Sequence, residues 1–411
     1  MSLGFYFIMS NIITGLDIGS NSTKAVVAEI KNNGRLLVLA AFKEPSAGFR
    51  KGVLSDFGEA IISLRNVISD LRRLTPKAIK NVYVNVNGAN IKSCLSKGVA
   101  GVARADSEIR RDDIEKAIQA SRAVNLSSNY IVLHNITREF FVDGIGGIQD
   151  PLGMTGTRLE VNSLVIGAFS PIVNDLTRCL ERNGVTIGGL IFGPLAASEA
   201  ILSKQQKDLG VLLIDIGFGT TSLAIYEENK ILKTLALPIG SGNITNDIAI
   251  GLRISVGAAE KTKLSYGFAL AREMPRREVF SLQEFDSSIK GEISKRFISE
   301  IIEARLAEIF EIVNNEIKSL DHKVELPAGV VITGGGAKLP GVVDLAKQEL
   351  KLPAQIGLPE LVNFDIKDPG CQELISDPEF ATAVGLTLYG LSQEGTFRPS
   401  IFKKFLQNLI P

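Results

Sequence analysis

The sequence predicts an α/β chain built as two lobes of related topology, with a smaller segment set into each half. Three observations carry that expectation. A motif near the start, Asp17-Ile18-Gly19-Ser20-Asn21-Ser22-Thr23-Lys24, is echoed at mid-chain by Asp215-Ile216-Gly217-Phe218-Gly219-Thr220-Thr221-Ser222. Each copy lies between apolar runs, Ile12-Ile13 and Ala25 to Ile30 for the first, Val211 to Ile214 and Leu223 to Tyr226 for the second. That pattern reads as strand, glycine turn, strand. The length, 411 residues, is enough for two domains; 45% apolar and 22% charged residues are ordinary for a folded soluble chain and exclude intrinsic disorder.

Ser55 to Leu74 has helical periodicity and ends before Pro76, and Val82 to Val86 alternates as a strand. Short strand-like runs follow at Tyr130 to Leu133, Glu139 to Val142 and Leu159 to Val165. Among them a helix from about Arg111 to Val124 places Ile114, Ala117 and Ile118 on one face. This patch is long enough to be a small α+β domain. In the second half, helices are expected near Thr245 to Leu252 and Val256 to Ser265, then a charged region to about Lys295. A long helix near Ile293 to Leu320 carries Ile298, Ile301, Ile302, Leu306, Ile309, Phe310 and Val313 on its apolar face. Leu326 to Thr333 reads as a strand running into Gly334-Gly335-Gly336, with a helix near Pro340 to Leu350. The globular part is expected to end at Tyr389-Gly390, followed by a polar linker.

Forty-five basic residues balance forty-five acidic ones, so the whole chain lacks the field that non-specific nucleic-acid binding needs, and no nucleic-acid partner is expected. Cys94, Cys179 and Cys371 are odd in number and far apart, which fits a reducing cytoplasm better than a disulfide framework. His134 and His322, the two histidines, have no ligand-like spacing. The apolar stretch Leu3 to Met9 lacks a basic flank and a cleavage site, so a signal peptide is not expected.

A turn of the form D-x-G-x-x-[ST] has a chemical use. Glycine lets the backbone come close to a ligand, so that successive N–H groups can face phosphate oxygens. Nearby hydroxyls add donors, and the strand-end aspartate can hold hydrated Mg²⁺. One such turn is weak evidence; a matched pair, one per half, is not. The triple glycine at 334–336 removes side chains where a flat ring or sugar could lie, at an expected helix start.

These three segments resemble the two phosphate loops and the adenosine loop of the actin, sugar-kinase and heat-shock-chaperone superfamily. Pro194 to Ala200 and Ala381 to Leu386 resemble its two interdomain helices, and Glu260-Lys261-Thr262-Lys263 its nucleotide-contacting helix. The resemblance implies an actin-like two-lobed ATPase fold that binds ATP with Mg²⁺. Within it the chain most resembles the FtsA family of bacterial cell-division proteins. The first-half insert, the Ala259 to Lys263 helix with Tyr266-Gly267 beyond it, and the tail carry that likeness. The implied division is a first core domain (1–82 and 166–192), an insert domain (83–165), a second core domain (193–240 and 305–390), a second small domain (241–304), a linker (391–398) and a terminal helix (399–411).

By resemblance, Asp17 and Asp215 organise Mg²⁺ through water and Glu199 orients water near the γ-phosphate. Gly19, Ser20, Asn21, Ser22, Thr23, Lys24, Gly217, Gly219, Thr220 and Thr221 form the phosphate loops; Gly240, Glu260, Lys263, Gly334, Gly335 and Gly336 complete the nucleotide site. Any ATP hydrolysis is expected to be slow and regulatory. The tail places Ile401, Phe402, Phe405, Leu406, Leu409 and Ile410 on one helical stripe, with Lys403 and Lys404 on the other side. At roughly 1.5 Å per residue such a helix is too short to cross a bilayer, so it is expected to lie on the membrane surface.

The implied function is a filament-forming adaptor that tethers the FtsZ division ring to the cytoplasmic membrane and recruits later division proteins. Its small second-half domain would dock the FtsZ C-terminal peptide, with Lys295 and Arg296 on the docking face. Two alternatives stand beside it, a PilM-like adaptor of type IV pilus assembly and a small-metabolite kinase. The kinase would need a general base for a substrate hydroxyl, and the first half shows no assignable acidic motif for one.

Overall fold

The computed structural model describes residues 11–123, 127–285, 291–320 and 324–395. The chain opens with β1 (Ile12–Ile18), β2 (Ser22–Ile30), β3 (Leu36–Pro45), the short pair β4 (Phe49–Arg50) and β5 (Val53–Leu54), α1 (Phe57–Leu74) and β6 (Val82–Val86). Next come β7 (Ile91–Gly101), α2 (Arg111–Arg122), β8 (Tyr130–Val142), β9 (Ile145–Ile148) and β10 (Arg158–Phe169). They lead to α3 (Ser170–Arg182), β11 (Ile187–Phe192), α4 (Gly193–Ile201) and α5 (Lys204–Leu209). The second half continues with β12 (Val211–Ile216), β13 (Thr221–Glu227), β14 (Lys230–Leu237), α6 (Ser241–Leu252), α7 (Val256–Tyr266), β15 (Val279–Ser281) and β16 (Glu292–Ser294). The described chain closes with α8 (Lys295–Lys318), β17 (Val330–Thr333), α9 (Val342–Leu350), β18 (Ala354–Ile356), β19 (Phe364–Ile366), α10 (Pro369–Ser376) and α11 (Ala381–Gly395).

Packing divides the chain into two units. The first holds the residues up to Val86, Asp175–Ile201 and those from Gly357 onward; the second holds Asn87–Asn174 and Leu202–Ile356. Each has a sheet with the same core. In the first unit the strand order is β11-β6-β1-β2-β3-β19, and in the second it is β14-β13-β12-β17-β18. Both pair an antiparallel hairpin with a third antiparallel strand on one side and parallel strands on the other. The hairpin registers coincide: Asp17 lies opposite Lys24 and Ile18 opposite Thr23, as Asp215 lies opposite Ser222 and Ile216 opposite Thr221. The duplication read from sequence is thus a duplication of topology, with β19 added at one edge.

Central strands buried on both faces favour continuous apolar runs, which β12 supplies in Val211 to Ile214, whereas β1 is buried almost throughout although Thr14 and Gly15 interrupt its apolar residues. Helix α1 covers its sheet with Ala60, Leu64, Val67, Ile68 and Leu71, an i, i+4, i+7 stripe. Burying each of the larger ones is worth roughly 1.5–3 kcal/mol. Asp56 starts the helix by accepting a hydrogen bond from the Glu59 N–H at 2.8 Å.

The insert forms its own sheet, β7-β10-β8-β9, with α2 packing Ala117 into a core with Ile109, Phe140, Leu159 and Val161. Gly98 admits the helix, since a Cβ there would fall 2.0 Å from the Ala117 carbonyl. The insert packs with the second unit: Ser93 Oγ donates to the Thr234 carbonyl at 2.8 Å, and Lys230 pairs with Glu139 at 3.6 Å.

Several boundaries drawn from sequence move. Residues 83–86 belong to the first core sheet, because β6 pairs with both β1 and β11, while 166–169 stay in the insert, because β10 pairs there with β7 and β8. Residues 193–201 and those from 357 pack in the first unit, not with the second core domain. The 304/305 boundary falls inside the continuous helix α8. The strand expected from Leu326 begins at Val330, and the triple glycine opens a short 3-10 turn rather than an α-helix. The linker expected from 391 is helical through Gly395. Gly390 is not a stop: a Cβ there would sit 2.5 Å from Ile13, so the glycine serves close packing. The terminal segment with Ile401, Phe402, Lys403, Lys404, Phe405, Leu406, Leu409 and Ile410 lies outside the described residues, as does His322. Among the described residues, no helix is long and apolar enough to cross a membrane.

Candidate functional site

In the first unit, β1 ends at Asp17-Ile18 and the chain turns through Gly19 to Asn21 into β2. The turn is closed by the Gly19 N–H donating to the Ser22 carbonyl at 3.2 Å; a Cβ on Gly19 would lie 2.8 Å from that oxygen. Asp17 is buried, with Lys24 Nζ 3.6 Å from its Oδ2 and the Asn85 amide donating to its Oδ1 at 2.7 Å. Burial pushes the Asp17 carboxyl up from the ordinary range, Lys24 pulls it down, and Glu379 adds a smaller upward push. Ser20 Oγ accepts from the Gly52 N–H at 3.1 Å, and the Thr23 and Ser46 hydroxyls bond at 2.7 Å. Thr23 is therefore turned into the fold, while Gly19, Ser20 and Asn21 remain accessible.

The second unit repeats the turn. Gly217 N–H donates to the Thr220 carbonyl at 2.9 Å, and Thr221 is buried at the register position of Thr23. Its hydroxyl has no partner among the described residues. Asp215 lies against Gly334, whose φ is +81° and whose Cβ, if present, would be 2.2 Å from Asp215 Oδ1. Gly336 packs on Ile216, and Gly335 is exposed as bare backbone. The start of α6 is sewn to the turn: Ser241 and Gly242 N–H groups donate to the Gly217 and Phe218 carbonyls at 2.9 and 2.8 Å. A side chain at Gly240 would clash with both carbonyls.

Lys263 is buried and donates to Glu260 Oε2 at 2.7 Å, Thr245 Oγ1 at 2.8 Å and the Ser241 carbonyl at 3.4 Å. It stands 5.7 Å from the Phe218 ring centroid, which ties α6 and α7 to the turn. Burial pushes its ammonium pKa down, against the pull of Glu260. Glu199 is the exposed residue of the otherwise buried helix α4.

The donor set suits a hydrated Mg²⁺ and phosphate oxygens: carboxylates at strand ends beside glycine turns that a Cβ would fill. No group of three or more His, Cys, Asp or Glu residues able to hold a metal ion occurs among the described residues. Lys295 and Arg296, at the start of α8, are paired within the chain, with Glu278 at 3.1 Å and Glu300 at 3.3 Å. Lys295 also sits 5.1 Å from the Tyr266 ring centroid. Of the apolar residues near them, Phe280 and Ile298 are buried in the core, whereas Phe297 is exposed.

Sequence reasoning missed Asn85, Ser46 and Thr245 as neighbours of these turns. For Asn85 a signal existed: an amide inside the apolar run Val82-Tyr83-Val84-Asn85-Val86, every residue of which is buried.

Comparison with known proteins gives the same picture from another side. Residues 212–385 match the family described as cell division protein FtsA, and residues 88–167 match the SHS2 domain inserted in FtsA. The chain is 33% identical over 383 residues to the cell division protein FtsA of Pseudomonas aeruginosa, covering 93% of this chain and 90% of that one. It is 34% identical over 377 residues to that of Bacillus subtilis, covering 92% and 83%. Among solved structures, a PilM-PilN type IV pilus biogenesis complex matches with a TM-score of 0.64 at 19% identity, over 92% of this chain and 98% of that chain. MreB5 of Spiroplasma citri bound to AMPPNP matches with a TM-score of 0.56 at 15% identity, over 94% and 98%. Both share the actin-like fold.

Proposed function

Because the chain belongs to the FtsA family of cell division proteins, we propose that it is an ATP-binding, self-associating adaptor that holds the FtsZ ring at the cytoplasmic face of the membrane. The observation that carries the nucleotide part is the same D-x-G hairpin built twice in one register, each copy with an aspartate at the end of its first strand and a glycine turn that closes on the carbonyl three residues on. In this reading the exposed backbone of Gly19 to Asn21 and of Gly217 to Gly219 takes phosphate oxygens. Asp17 and Asp215 hold Mg²⁺ through water, Lys24 adds positive charge, and Gly334 to Gly336 with Glu260 and Lys263 take the adenosine. Glu199 would orient water for slow hydrolysis, which is the chemistry that bound ATP supplies.

The terminal segment 399–411 is proposed as the membrane anchor and Lys295 with Arg296 as part of the FtsZ-peptide face. The pilus-protein likeness supports the fold alone, whereas the identity to cell division proteins spans nearly the whole chain. Co-sedimentation with anionic vesicles tests the adaptor reading. The intact protein with ATP and Mg²⁺ should bind and assemble with rising concentration, and deletion of residues 397–411 should leave it in the supernatant. Vesicle binding that survives the deletion, or a strictly monomeric protein at high surface density, would overturn it.

A further inference from the structure

Strand β6 carries one amide in an otherwise apolar run, and it is buried. The parallel register pairs Leu16 with Val84, which sets Asn85 alongside Asp17 at the point where β1 enters its turn. Both ends of the amide are used. Asn85 Oδ1 accepts from the Ile18 N–H at 2.7 Å, and Nδ2 donates to Asp17 Oδ1 at 2.7 Å while reaching the Ile18 carbonyl at 3.4 Å. A single planar side chain therefore fixes one carboxylate oxygen of Asp17 and the backbone one residue before Gly19. The other oxygen, Oδ2, is the one that faces Lys24.

The second unit solves the same problem differently. There the register pairs Asp215 with Thr333, and the following residue, Gly334, lets backbone rather than a side chain abut the carboxylate. The first strand-end aspartate thus has the Asn85 amide against it, and the second has the backbone of Gly334. An amide is suited to the task because it donates to the carboxylate and accepts from the backbone at once, which neither an aspartate nor an aliphatic side chain can do.

We propose that Asn85 is a positioning residue for the first phosphate turn: it holds the Asp17 carboxylate through Oδ1, so that Oδ2, on the side of Lys24, is kept available to the hydrated cation of a bound nucleotide. The inference rests on the nucleotide reading above. It requires that Asn85 act on the Mg²⁺-dependent part of nucleotide binding more than on binding of the bare nucleotide or on folding.

The test compares full-length wild type with Asn85→Ala, Asn85→Ser and Asp17→Asn. ATP affinity is measured by calorimetry in excess Mg²⁺ and again in EDTA, with apo melting followed by circular dichroism. Groups that orient a metal-bound carboxylate change metal affinity by roughly 10–100-fold when removed, so Asn85→Ala should lose that much of the gain conferred by Mg²⁺. Its affinity in EDTA should stay near wild type. The double variant of Asn85→Ala with Asp17→Asn should lose little more than Asp17→Asn alone, since both act through one carboxylate. Asn85→Ser provides the comparison if the alanine variant folds poorly. Equal losses with and without Mg²⁺, or no loss at all, would overturn the inference while leaving the nucleotide reading intact. A wild type that binds no ATP, with normal melting, would instead overturn the reading beneath it.

Discussion

Gly334 shows how little freedom a single position can have. Its φ of +81° lies in the region that favours glycine, and a Cβ would collide with Asp215 Oδ1. Gly334→Ala should therefore displace Asp215 and weaken Mg²⁺-dependent ATP binding, at a stability cost of about 1 kcal/mol or more. Calorimetry and urea unfolding check the two effects separately. Unchanged affinity in that variant would count against Asp215 as a cation-organising group. His134 offers a different handle. Burial holds its imidazole pKa down to about 4, below the unfolded value near 6.5. The unfolded chain thus takes up a proton first as pH falls. The stability contributed by neutral His134 is present above pH 6.5, declines through the window down to about 4, and changes no further below it. His134→Gln should flatten the pH dependence of the urea midpoint within that window only.

Helices α4 and α11 meet almost backbone to backbone. A Cβ on Gly385 would fall 1.8 Å from the Ala196 carbonyl, and one on Gly15 would fall 2.2 Å from the Ala383 carbonyl, so α11 is pressed on both the helix and the strand β1. Overpacking of that kind costs roughly 1–3 kcal/mol, and backbone cannot yield as a flexible side chain can. Gly385→Val should lower the unfolding free energy read from urea melts by an amount in that range or above it. The control Gly34→Ala, at a turn where a Cβ would meet nothing within 4 Å but φ is +77°, separates backbone strain from collision. A loss in Gly385→Val no larger than in the control would mean that the helices can move apart.

Two sheets with the same core strand order and hairpin register, an insert with its own core, and 33% identity to a cell division protein over 93% of the chain are features of the molecule as a whole. At this scale the expected outcome concerns the partner. Reversing charge at Lys295 and Arg296 together should weaken binding of an FtsZ C-terminal peptide, more so at low salt. Because both side chains are already paired, with Glu278 and Glu300, the reversal also frees those carboxylates and adds repulsion. Removing the two glutamates alone should then strengthen binding of an acidic peptide. Fluorescence anisotropy of a labelled peptide reads both; no change in either variant would move the docking face elsewhere.

Much of this was legible in the chain by itself. The repeated D-x-G turn, the apolar strands beside it and the triple glycine are local patterns, and local backbone chemistry determines what they form: Gly19 and Gly217 turn where any side chain would meet the carbonyl three residues on. Helix faces such as that of α8 were equally readable, because a 3.6-residue period survives without knowledge of the partner. Only the tertiary structure decided which pieces belong together. The junctions at 83, 166 and 304 lie inside continuous strands and helices, so nothing in the local sequence marks them. Gly390 reads locally as a stop, yet it fills a contact with Ile13 and Tyr83 that lie more than three hundred residues away in the chain. Asn85 stands out as an amide in an apolar run, but its partners were hidden for the same reason: Asp17 and Ile18 come from the neighbouring strand, and the register between strands is fixed by pairing in three dimensions.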